Sequence, residues 1–278
     1  MKPLLKWAGG KARLAPTIDA AFSTPCMNTY FEPFLGAGAL FLYRQAAGKL
    51  RGDIVLSDRN AKLIETHIAI RDDVSGVLKA LARMPVLEYR AVYYEVREQF
   101  NTLEQVGSEH AARFLWLNRA GFNGLYRENK SGVYNVPVGR YKSVALPSNE
   151  AFLAVSKALQ GVTLLSKSFE EVIAQAGSGD QVYCDPPYVP LTATANFTAY
   201  CKAPFSHSHQ LSLSACAREA AERGAAVLLS NHDTPIVREE LYPTTAGFRV
   251  LHKLSVTRSI SQKTSKRGKA SELLASIG

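Results

Sequence analysis

The sequence predicts an α/β fold in which one doubly wound sheet is interrupted by an inserted module. Three observations lead to this fold class. A strand–turn–helix–strand unit occupies residues 28–58, a helix-rich and then a basic, aromatic segment follows, and the α/β rhythm returns after residue 147. Strands that alternate with helices are typical of a parallel sheet with helices on both faces. We therefore expect residues 1–61 and 147–278 to form one domain, into which residues 62–146 are inserted.

The first unit is recognised from its apolar runs and its glycines. Residues 30–33 form a strand that leads into the turn Gly36-Ala37-Gly38. An apolar run over residues 39–47 predicts a helix, and residues 54–56 predict a strand that ends at Ser57-Asp58. This order of elements is a βαβ unit.

The insert has two parts. In residues 61–118 apolar side chains recur every three or four positions, which predicts helices. Residues 113–142 carry six basic side chains against one acid, with six aromatic residues interleaved and four glycines that mark turns. A basic surface with aromatic side chains suits a nucleic acid.

The remainder of the chain returns to α/β patterning. Strands are predicted at residues 162–165, 181–184 and 225–229, a helix at 211–223 that ends at Gly224, and two late strands within 248–257. Residues 257–269 carry five basic side chains and no acid, so we expect a mobile basic loop beside the late strands.

Charge and composition narrow the function classes. The chain has 33 Lys and Arg against 24 Asp and Glu, a net charge of +9, which argues for an anionic partner, with nucleic acid first and an acidic membrane second. Four basic residues interrupt the first 14 positions, unlike a signal peptide, and no run approaches the ~18 apolar residues of a spanning helix. The four cysteines form no C-x-x-C pair. We expect a soluble cytoplasmic protein without a metal.

A cofactor site is predicted where glycines follow the first strand. Gly36 and Gly38 let the backbone approach a ligand closely, and Asp58 follows Gly38 by 20 residues at the end of the next strand. That spacing suits a carboxylate that accepts from ribose hydroxyls. Because Phe41 stands where the dinucleotide fingerprint needs a third glycine, a ribose-bearing cofactor without pyrophosphate fits better, and S-adenosyl-L-methionine is the common one. The alternative is a tight βα turn with an ordinary surface aspartate.

The N-terminal segment Lys-Trp-Ala-Gly-Gly-Lys, residues 6–11, suggests a loop that closes over a ligand. Trp7 would lie against the cofactor, and Lys11 would pair with its carboxylate. The alternative is a core tryptophan with solvated lysines.

A candidate catalytic turn, Asp185-Pro186-Pro187-Tyr188, follows the strand at 181–184. Two prolines in series fix φ and end the strand, so the carboxylate and the phenol ring are held at a fixed separation. If Asp185 and a loop carbonyl accept the two hydrogens of adenine's exocyclic amine, the nitrogen can aim its lone pair at an electrophilic methyl group. Tyr188 would stack on the base, and the carboxylate would stabilise the positive charge that develops. The alternative is a rigid turn with a capping aspartate.

Six motifs occur in an order that resembles the Dam-type DNA adenine-N6 methyltransferases over nearly the whole chain. They are residues 6–11, 32–38, 57–60, 118–125, 185–188 and 229–233, and residues 194–200 are similar as well. The resemblance implies a Rossmann-like sheet of the S-adenosyl-L-methionine-dependent methyltransferase type and, at residues 62–146, a mainly helical target-recognition domain with a β-hairpin. It further implies that an adenine is flipped out of duplex DNA, with GATC as the target sequence.

The resemblance also implies roles for individual residues. The catalytic residues are Asp185, Pro186 and Tyr188. The residues that bind S-adenosyl-L-methionine are Trp7, Lys11, Phe34, Gly36, Gly38, Asp58, Ser168, Phe169 and Asp185. The residues that contact DNA are Lys6, Arg119, Asn123, Leu125, Arg127 and Tyr141, with Arg127 donating to a guanine edge. The charge of residues 257–269 adds phosphate contacts at Arg258, Lys263, Lys266 and Arg267.

One segment, residues 203–210, departs from the family pattern, and we expect His207 and His209 to lie in a solvated loop. Other functions stay open at this point. A methyltransferase of RNA adenine or of a protein amide would use a similar turn, and assays with duplex DNA, RNA and peptide distinguish these substrates. A catalytically idle DNA-binding relative would fail to bind S-adenosyl-L-methionine. The zinc signature of nucleobase deaminases and the phosphate loop of nucleotide hydrolases are missing from the sequence. We expect a monomer that can place more than one copy on a DNA molecule.

Overall fold

A computed structural model of the chain describes residues 1–103, 106–190, 205–257 and 269–278. Within these ranges the strands form a single sheet of seven. They are β1 (Tyr30–Glu32), β2 (Ile54–Ser57), β3 (Thr163–Leu165), β4 (Gln181–Cys184), β5 (Ala226–His232), β6 (Arg249–Thr257) and β7 (Lys269–Ile277). Their order is β3-β2-β1-β4-β5-β7-β6, in which the first five are parallel and β7 runs antiparallel between β5 and β6. The predicted α/β sheet is confirmed.

The helices of the described ranges fall into three groups along the chain. Those before the insert are α1 (Ala15–Ala21) and α2 (Ala39–Ala46). Those of the middle segment are α3 (Ala61–Asp72), α4 (Val74–Ala82), α5 (Tyr93–Thr102) and α6 (Gly107–Ala120). Those that follow are α7 (Asn149–Leu159), α8 (Phe169–Ile173) and α9 (His207–Glu222). None of these helices is long and apolar enough to cross a membrane.

The alternating side chains of the central strands divide the core into two layers. Tyr183 and Leu228 belong to a buried cluster that includes α2, α3 and α7. Their strand neighbours Val182 and Val227 belong to a second cluster with α8 and α9. Because successive side chains of a strand point to opposite faces, the two clusters lie on the two sides of the sheet. Both faces are therefore covered, as is usual for parallel strands.

The strand order creates one crevice at the carboxyl ends of the parallel strands. β1 is paired with β2 on one side and with β4 on the other. The chain reverses its direction of progress through the sheet between β1 and β4, and ligands of open α/β sheets bind outside such a point. The glycine turn at residues 36–38 and the turn at residues 185–188 follow β1 and β4, so they meet there.

The predicted β-hairpin of the insert is wrong in one respect: its pairing consists of isolated bridges. Gly121 pairs with Val138 and Glu128 with Tyr134, without a continuous ladder. Side chains from residues 89–101 take up backbone groups that a ladder would use. Tyr93 Oη donates to the carbonyl of Val136 at 3.0 Å. Backbone bonds such as that from Asn135 N to the carbonyl of Arg127 at 3.1 Å still cross the hairpin, so its own backbone and the neighbouring side chains hold it together.

The apolar core continues from the sheet into the insert. Buried side chains of the strands and buried side chains of α5 and α6, such as Tyr93 and Trp116, belong to the same cluster. The division at residues 61/62 and 146/147 stays a prediction, since it follows composition and no boundary in the core marks it.

Three elements differ from their predicted bounds. Residues 248–257 form one bulged strand, β6, and not two; its partner β7 was missed because a basic run precedes it. The last predicted helix begins four residues early, at His207, since Ser206 caps it. β5 continues through His232, which brings the motif at residues 229–233 into the sheet.

A buried ion pair joins α1, α2 and β4. Arg44 is completely buried, its Nε lies 2.9 Å from Asp19 Oδ1, and its Nη2 donates to Gln181 Oε1 at 2.7 Å. The guanidinium also lies 4.3 Å from the ring centre of Phe22. A charge at this depth depends on its partners, because water cannot replace them.

We expect Arg44→Ala to lower the free energy of unfolding by about 3–5 kcal/mol, because it leaves the Asp19 carboxylate without its partner in the interior. Arg83→Ala is the matched control, since Arg83 and Glu109 are 63% and 57% exposed; its loss should be below about 1 kcal/mol. Urea unfolding of both variants measures the difference. Equal losses would contradict a structural role for the buried pair.

The last residue of β1 is a buried carboxyl group. Glu32 is 3% exposed and accepts a hydrogen bond from Tyr30 Oη at 2.9 Å. Burial raises the pKa of Glu32 to about 8; the hydrogen bond from Tyr30 opposes this rise, and the charge of Asp185 adds to it. The folded protein therefore holds this proton more tightly than the unfolded chain does.

The contribution of the Glu32 proton to stability is fully present below the ordinary carboxyl pKa of 4.5 and is lost as the pH rises through about 8. We expect Glu32→Gln, which cannot ionise, to remove this loss, on the order of a few kcal/mol. The measurement is the free energy of unfolding of both proteins across this pH range. Parallel pH profiles for the variant and the parent would show that Glu32 does not titrate in this way.

Candidate active site

The glycine turn after β1 is held by the end of β2. Gly36 has a φ of +51°, and its N–H donates to Asp58 Oδ2 at 2.9 Å, while Asn60 N donates to Asp58 Oδ1 at 2.9 Å. A Cβ on Gly36 would lie 2.7 Å from Trp7 Cδ1, so only glycine fits under this ring. Gly38 has a φ of +71° and caps α2. Burial raises the pKa of Asp58, and the two backbone N–H groups oppose the rise.

His67 supports the same turn and was missed by the sequence analysis, which used only its helical spacing. Its Nε2 lies 3.1 Å from the carbonyl of Gly36. A carbonyl can only accept, so Nε2 carries the proton in this contact. Burial lowers the pKa of His67, and the contact with Gly36 opposes that change. The turn is therefore fixed from α3 as well as from β2.

Trp7 lies over the glycine turn and joins it to the insert. Its ring centre is 5.5 Å from that of Tyr126 and 6.4 Å from that of Phe114. The ring is half-buried. The alternative of solvated lysines beside it is wrong for Lys11, which is 6% exposed.

Three aromatic side chains lie together beside the glycine turn. The ring centre of Phe34 is 5.5 Å from that of Phe169 and 5.8 Å from that of Phe205. Ser168, directly before Phe169, caps α8 in a capping box with Glu171, which fixes where α8 begins. Phe205 was missed because it lies in the segment that departs from the family pattern.

The turn at residues 185–188 carries a carboxylate paired with an ammonium group. Lys11 Nζ lies 3.0 Å from Asp185 Oδ1 and donates to the carbonyl of Gly9 at 2.7 Å. Burial raises the pKa of Asp185, and the charge of Lys11 opposes the rise. The sequence analysis assigned Lys11 to the cofactor, so its contact with Asp185 is new.

Tyr188 is oriented by groups from three directions. Its Oη donates to Glu272 Oε2 at 3.2 Å, its ring meets that of His232 edge-on at 4.9 Å, and Lys11 Nζ lies 4.8 Å from the ring centre. Burial raises the pKa of Tyr188 well above its ordinary value, and the charge of Asp185 adds to the rise. The phenol is therefore neutral and can act as a stacking surface.

The backbone of this turn is bonded by side chains that the sequence analysis did not assign. Gln210 Nε2 donates to the carbonyl of Pro187 at 2.7 Å, and Val189 N donates to Asn231 Oδ1 at 3.1 Å. Gln210 and Asn231 are both buried. The carbonyl of Pro187 is thus engaged by Gln210, and the catalytic role of Pro186 stays a prediction.

Most of the predicted base-reading residues lie on the insert next to the N-terminal segment. Lys6 N donates to Asn118 Oδ1 at 2.8 Å, and Lys6 Nζ lies 4.9 Å from the ring centre of Tyr141. Burial lowers the pKa of Lys6, and the charge of Arg119 adds to this change. Asn123 is exposed with a φ of +55°, and Leu125 is half-buried beside it.

Two of the predicted DNA contacts make bonds within the protein. Arg119 donates through Nε and Nη2 to the carbonyl of Leu4. Arg127 Nε donates to Asn135 Oδ1 at 2.7 Å, and its Nη2 donates to the carbonyl of Asn135 at 3.1 Å. Arg119 thus fixes the N-terminal segment, and Arg127 spans the irregular hairpin.

The remaining assignments are distributed as follows. Arg258, Lys263, Lys266 and Arg267 lie outside the described residues, as do residues 194–200 of the resemblance. His207 and His209 do not lie in a solvated loop, which corrects that expectation: both belong to the first turn of α9. His209 accepts from Ser206 N at 3.1 Å, and His207 Nε2 contacts Glu240 at 2.7 Å. Across the described part of the chain, no group of three His, Cys, Asp or Glu side chains is arranged to hold a metal ion.

Comparison with known proteins places this geometry in a family. The chain matches the model of the D12 class N6 adenine-specific DNA methyltransferases over residues 7–258. It is 39% identical over 276 residues to a DNA adenine methylase of Escherichia coli strain K12, covering 99% of this chain and 94% of that protein. It is 34% identical over 281 residues to a Type II methyltransferase, M1.LlaDCHI, of Lactococcus lactis subsp. cremoris, covering 99% of this chain and 94% of that protein.

Among solved structures, TrmN from Thermus thermophilus is similar to 96% of this chain and 49% of its own, with 11% identity and a TM-score of 0.45. The family model and the two relatives cover nearly all of the chain, including both turns of the crevice. The chain therefore belongs to the D12 class of N6 adenine-specific DNA methyltransferases.

Proposed function

We propose that this enzyme transfers a methyl group from S-adenosyl-L-methionine to N6 of an adenine that is flipped out of duplex DNA, within the sequence GATC. The observation that carries this proposal is the meeting of two turns at the ends of β1 and β4. One turn offers backbone and a carboxylate at Gly36 and Asp58, and the other offers the Asp185 carboxylate beside Lys11. We further propose a cytoplasmic monomer, with more than one copy able to bind a DNA molecule.

The residues of the crevice fit S-adenosyl-L-methionine. The Asp58 carboxylate suits ribose hydroxyls, and the aromatic pair Phe34 and Phe169 suits an adenine ring, with Ser168 at its edge. Gly36 lets Trp7 pack directly on the glycine turn, and in our proposal this ring lies against the cofactor together with Gly38. The Lys11 ammonium is opposite in charge to the cofactor's carboxylate, and the Asp185 carboxylate is opposite in charge to its positive groups. When bound, the cofactor supplies a methyl group on a positively charged sulfur.

The chemistry assigned to Asp185 follows from the weakness of the nucleophile. The lone pair of the adenine amine is delocalised into the ring. When Asp185 and the Pro186 carbonyl accept the two amine hydrogens, the nitrogen becomes pyramidal and its lone pair points outward. Tyr188 stacks on the base, an interaction of ~1–3 kcal/mol. The carboxylate then stabilises the positive charge that reaches the nitrogen and accepts the proton that this nitrogen releases.

Lys11 links cofactor binding to this step. Its ammonium is paired with the Asp185 carboxylate. A cofactor carboxylate competes for the same ammonium. In our proposal, Lys11 turns from Asp185 toward that carboxylate, and the oxygen it leaves accepts the amine hydrogen.

The proposed reading of GATC uses the surface between the N-terminal segment and the hairpin. Asn123 and Leu125 lie next to Lys6, whose side chain fills the space above Gly124. Arg127 reads a guanine edge by exchanging its bonds to Asn135 for two bonds to the base. Phosphate contacts come from Arg119, Tyr141 adds a wedge beside the base step, and the basic run contributes further phosphate contacts at Arg258, Lys263, Lys266 and Arg267.

We expect Asp185→Ala to reduce the methylation rate by at least about 10²–10³-fold, because the acceptor for the amine and its developing charge is removed. Duplex affinity should stay measurable, since phosphate contacts lie elsewhere. The control is Asp72→Ala, an exposed aspartate bonded to its neighbour Arg71. Transfer of labelled methyl groups to a GATC duplex is the assay. Substantial residual turnover in Asp185→Ala would overturn the catalytic assignment.

We expect Arg127→Ala to reduce discrimination at one base pair of the site by about 1–3 kcal/mol, because a bidentate contact to guanine is lost. The measurement is the methylation rate on a GATC duplex and on the set of single-base-pair variants. The exposed Arg51→Ala serves as a control. A uniform loss on every sequence would assign Arg127 to a phosphate instead.

A further inference from the structure

The motif at residues 229–233 and residues 205–210 meet beneath the catalytic turn. Asn231 is completely buried in β5, and Gln210 is 3% exposed in the first turns of α9. Their amides are bonded to each other, since Asn231 Nδ2 donates to Gln210 Oε1 at 3.1 Å. Water does not reach two amides at this depth to replace a lost hydrogen bond. Each amide is therefore restricted to the orientation in which its donors and acceptors are paired.

The direction of each amide in this chain of bonds follows from its partners. Asn231 Oδ1 accepts from Val189 N at 3.1 Å and from His232 N at 2.9 Å, so the oxygen of this amide must face the turn. Asn231 Nδ2 then donates to Gln210 Oε1, with Tyr242 Oη as a second acceptor at 3.3 Å. This orients the other end of Gln210, Nε2, as a donor to the carbonyl of Pro187 at 2.7 Å. Rotating either amide would bring like groups together.

The backbone of the turn has few hydrogen-bond donors. Its two prolines have no N–H group, so neither can donate a ladder bond beyond β4. The bonds that the structure gives to the backbone of Pro187 and Val189 come from Gln210, Asn231 and His232, whose Nδ1 contacts the Val189 carbonyl at 2.6 Å. These bonds flank Tyr188 on both sides.

We propose that Gln210 and Asn231 are positioning residues for methyl transfer, which set the height and tilt of the 185–188 turn relative to the flipped base. This inference rests on the proposed roles of Asp185 and Tyr188. Reacting groups must be placed to within a fraction of an ångström, and a misplacement of about 1 Å can cost about 10²-fold in rate. The pair touches neither substrate nor cofactor and acts through the Pro187 carbonyl and the Val189 N–H.

The test uses Gln210→Glu, which keeps the shape of the side chain and replaces its donor by a carboxylate oxygen. This oxygen faces the Pro187 carbonyl and repels it. We expect the single-turnover methylation rate, with saturating S-adenosyl-L-methionine and GATC duplex, to fall by about 10–100-fold at pH 8. The dissociation constants for the duplex and for S-adenosyl-L-methionine should not change. Gln175→Glu is the matched control, since Gln175 is exposed just after α8 and its side chain donates to the carbonyl of Glu171.

A pH dependence separates positioning from general damage. A buried carboxyl has a raised pKa, and in its protonated form Gln210→Glu again donates a hydrogen bond to the Pro187 carbonyl. The ratio of parent to variant rates should therefore shrink as the pH falls from 8 to 6. A variant that is merely less folded gives a ratio that does not improve, together with weaker duplex binding, and this result would overturn the proposal.

A second variant tests the chain of bonds. Asn231→Asp keeps the acceptor for Val189 but loses the donor to Gln210, so the Gln210 amide rotates and presents its oxygen to Pro187. We expect a rate loss similar to that of Gln210→Glu, and no further loss in the double variant, because both break one chain. Parent rates in Gln210→Glu, with Asp185→Ala inactive, would refute the positioning role alone. Activity in Asp185→Ala would refute the proposed function itself.

Discussion

The N-terminal segment, residues 4–11, is the part on which the arrangement of the crevice depends. It touches in turn the insert, the glycine turn and the catalytic turn. Leu4 accepts from Arg119, Trp7 covers Gly36, and Lys11 is paired with Asp185. The first and last of these contacts join residues that are more than a hundred positions apart in the chain. The sheet provides the two turns, and this segment determines how the insert sits over them.

The electrostatics around the crevice are determined by three buried carboxyl groups and the two cations that act on them, Lys11 and Arg44. Glu32, Asp58 and Asp185 are carboxyl groups with raised pKa values, because each has lost solvent. Only Asp185 is paired with an ammonium group, whereas Asp58 is held by backbone N–H groups and Glu32 by a phenol. Burial thus acts on three carboxyl groups in three different settings, and in our proposal only Asp58 and Asp185 meet a ligand.

The sequence predicted the parts of the site whose geometry is local. Asp58 and Asp185 each follow a strand directly, so strand ends and spacing were enough to bring them to one edge. His67, Gln210 and Asn231 could not be recognised in this way, because each contacts a backbone carbonyl or N–H from another part of the chain. Amide and imidazole side chains give no periodic signal for such partners. The hairpin lacks a continuous ladder for a related reason, since side chains of residues 89–101 bond to part of its backbone.

The side-chain amide of Asn118 on α6 binds two segments of the chain at once. Its Oδ1 accepts from Lys6 N, and its Nδ2 donates to the carbonyls of Lys6 and Gly124 at 2.8 Å and 3.1 Å. The loop that carries Asn123 is therefore held directly against the N-terminal segment, residues 4–11. The bonds of Asn118 thus connect the loop before Leu125 to the segment whose Lys11 is paired with the Asp185 carboxylate.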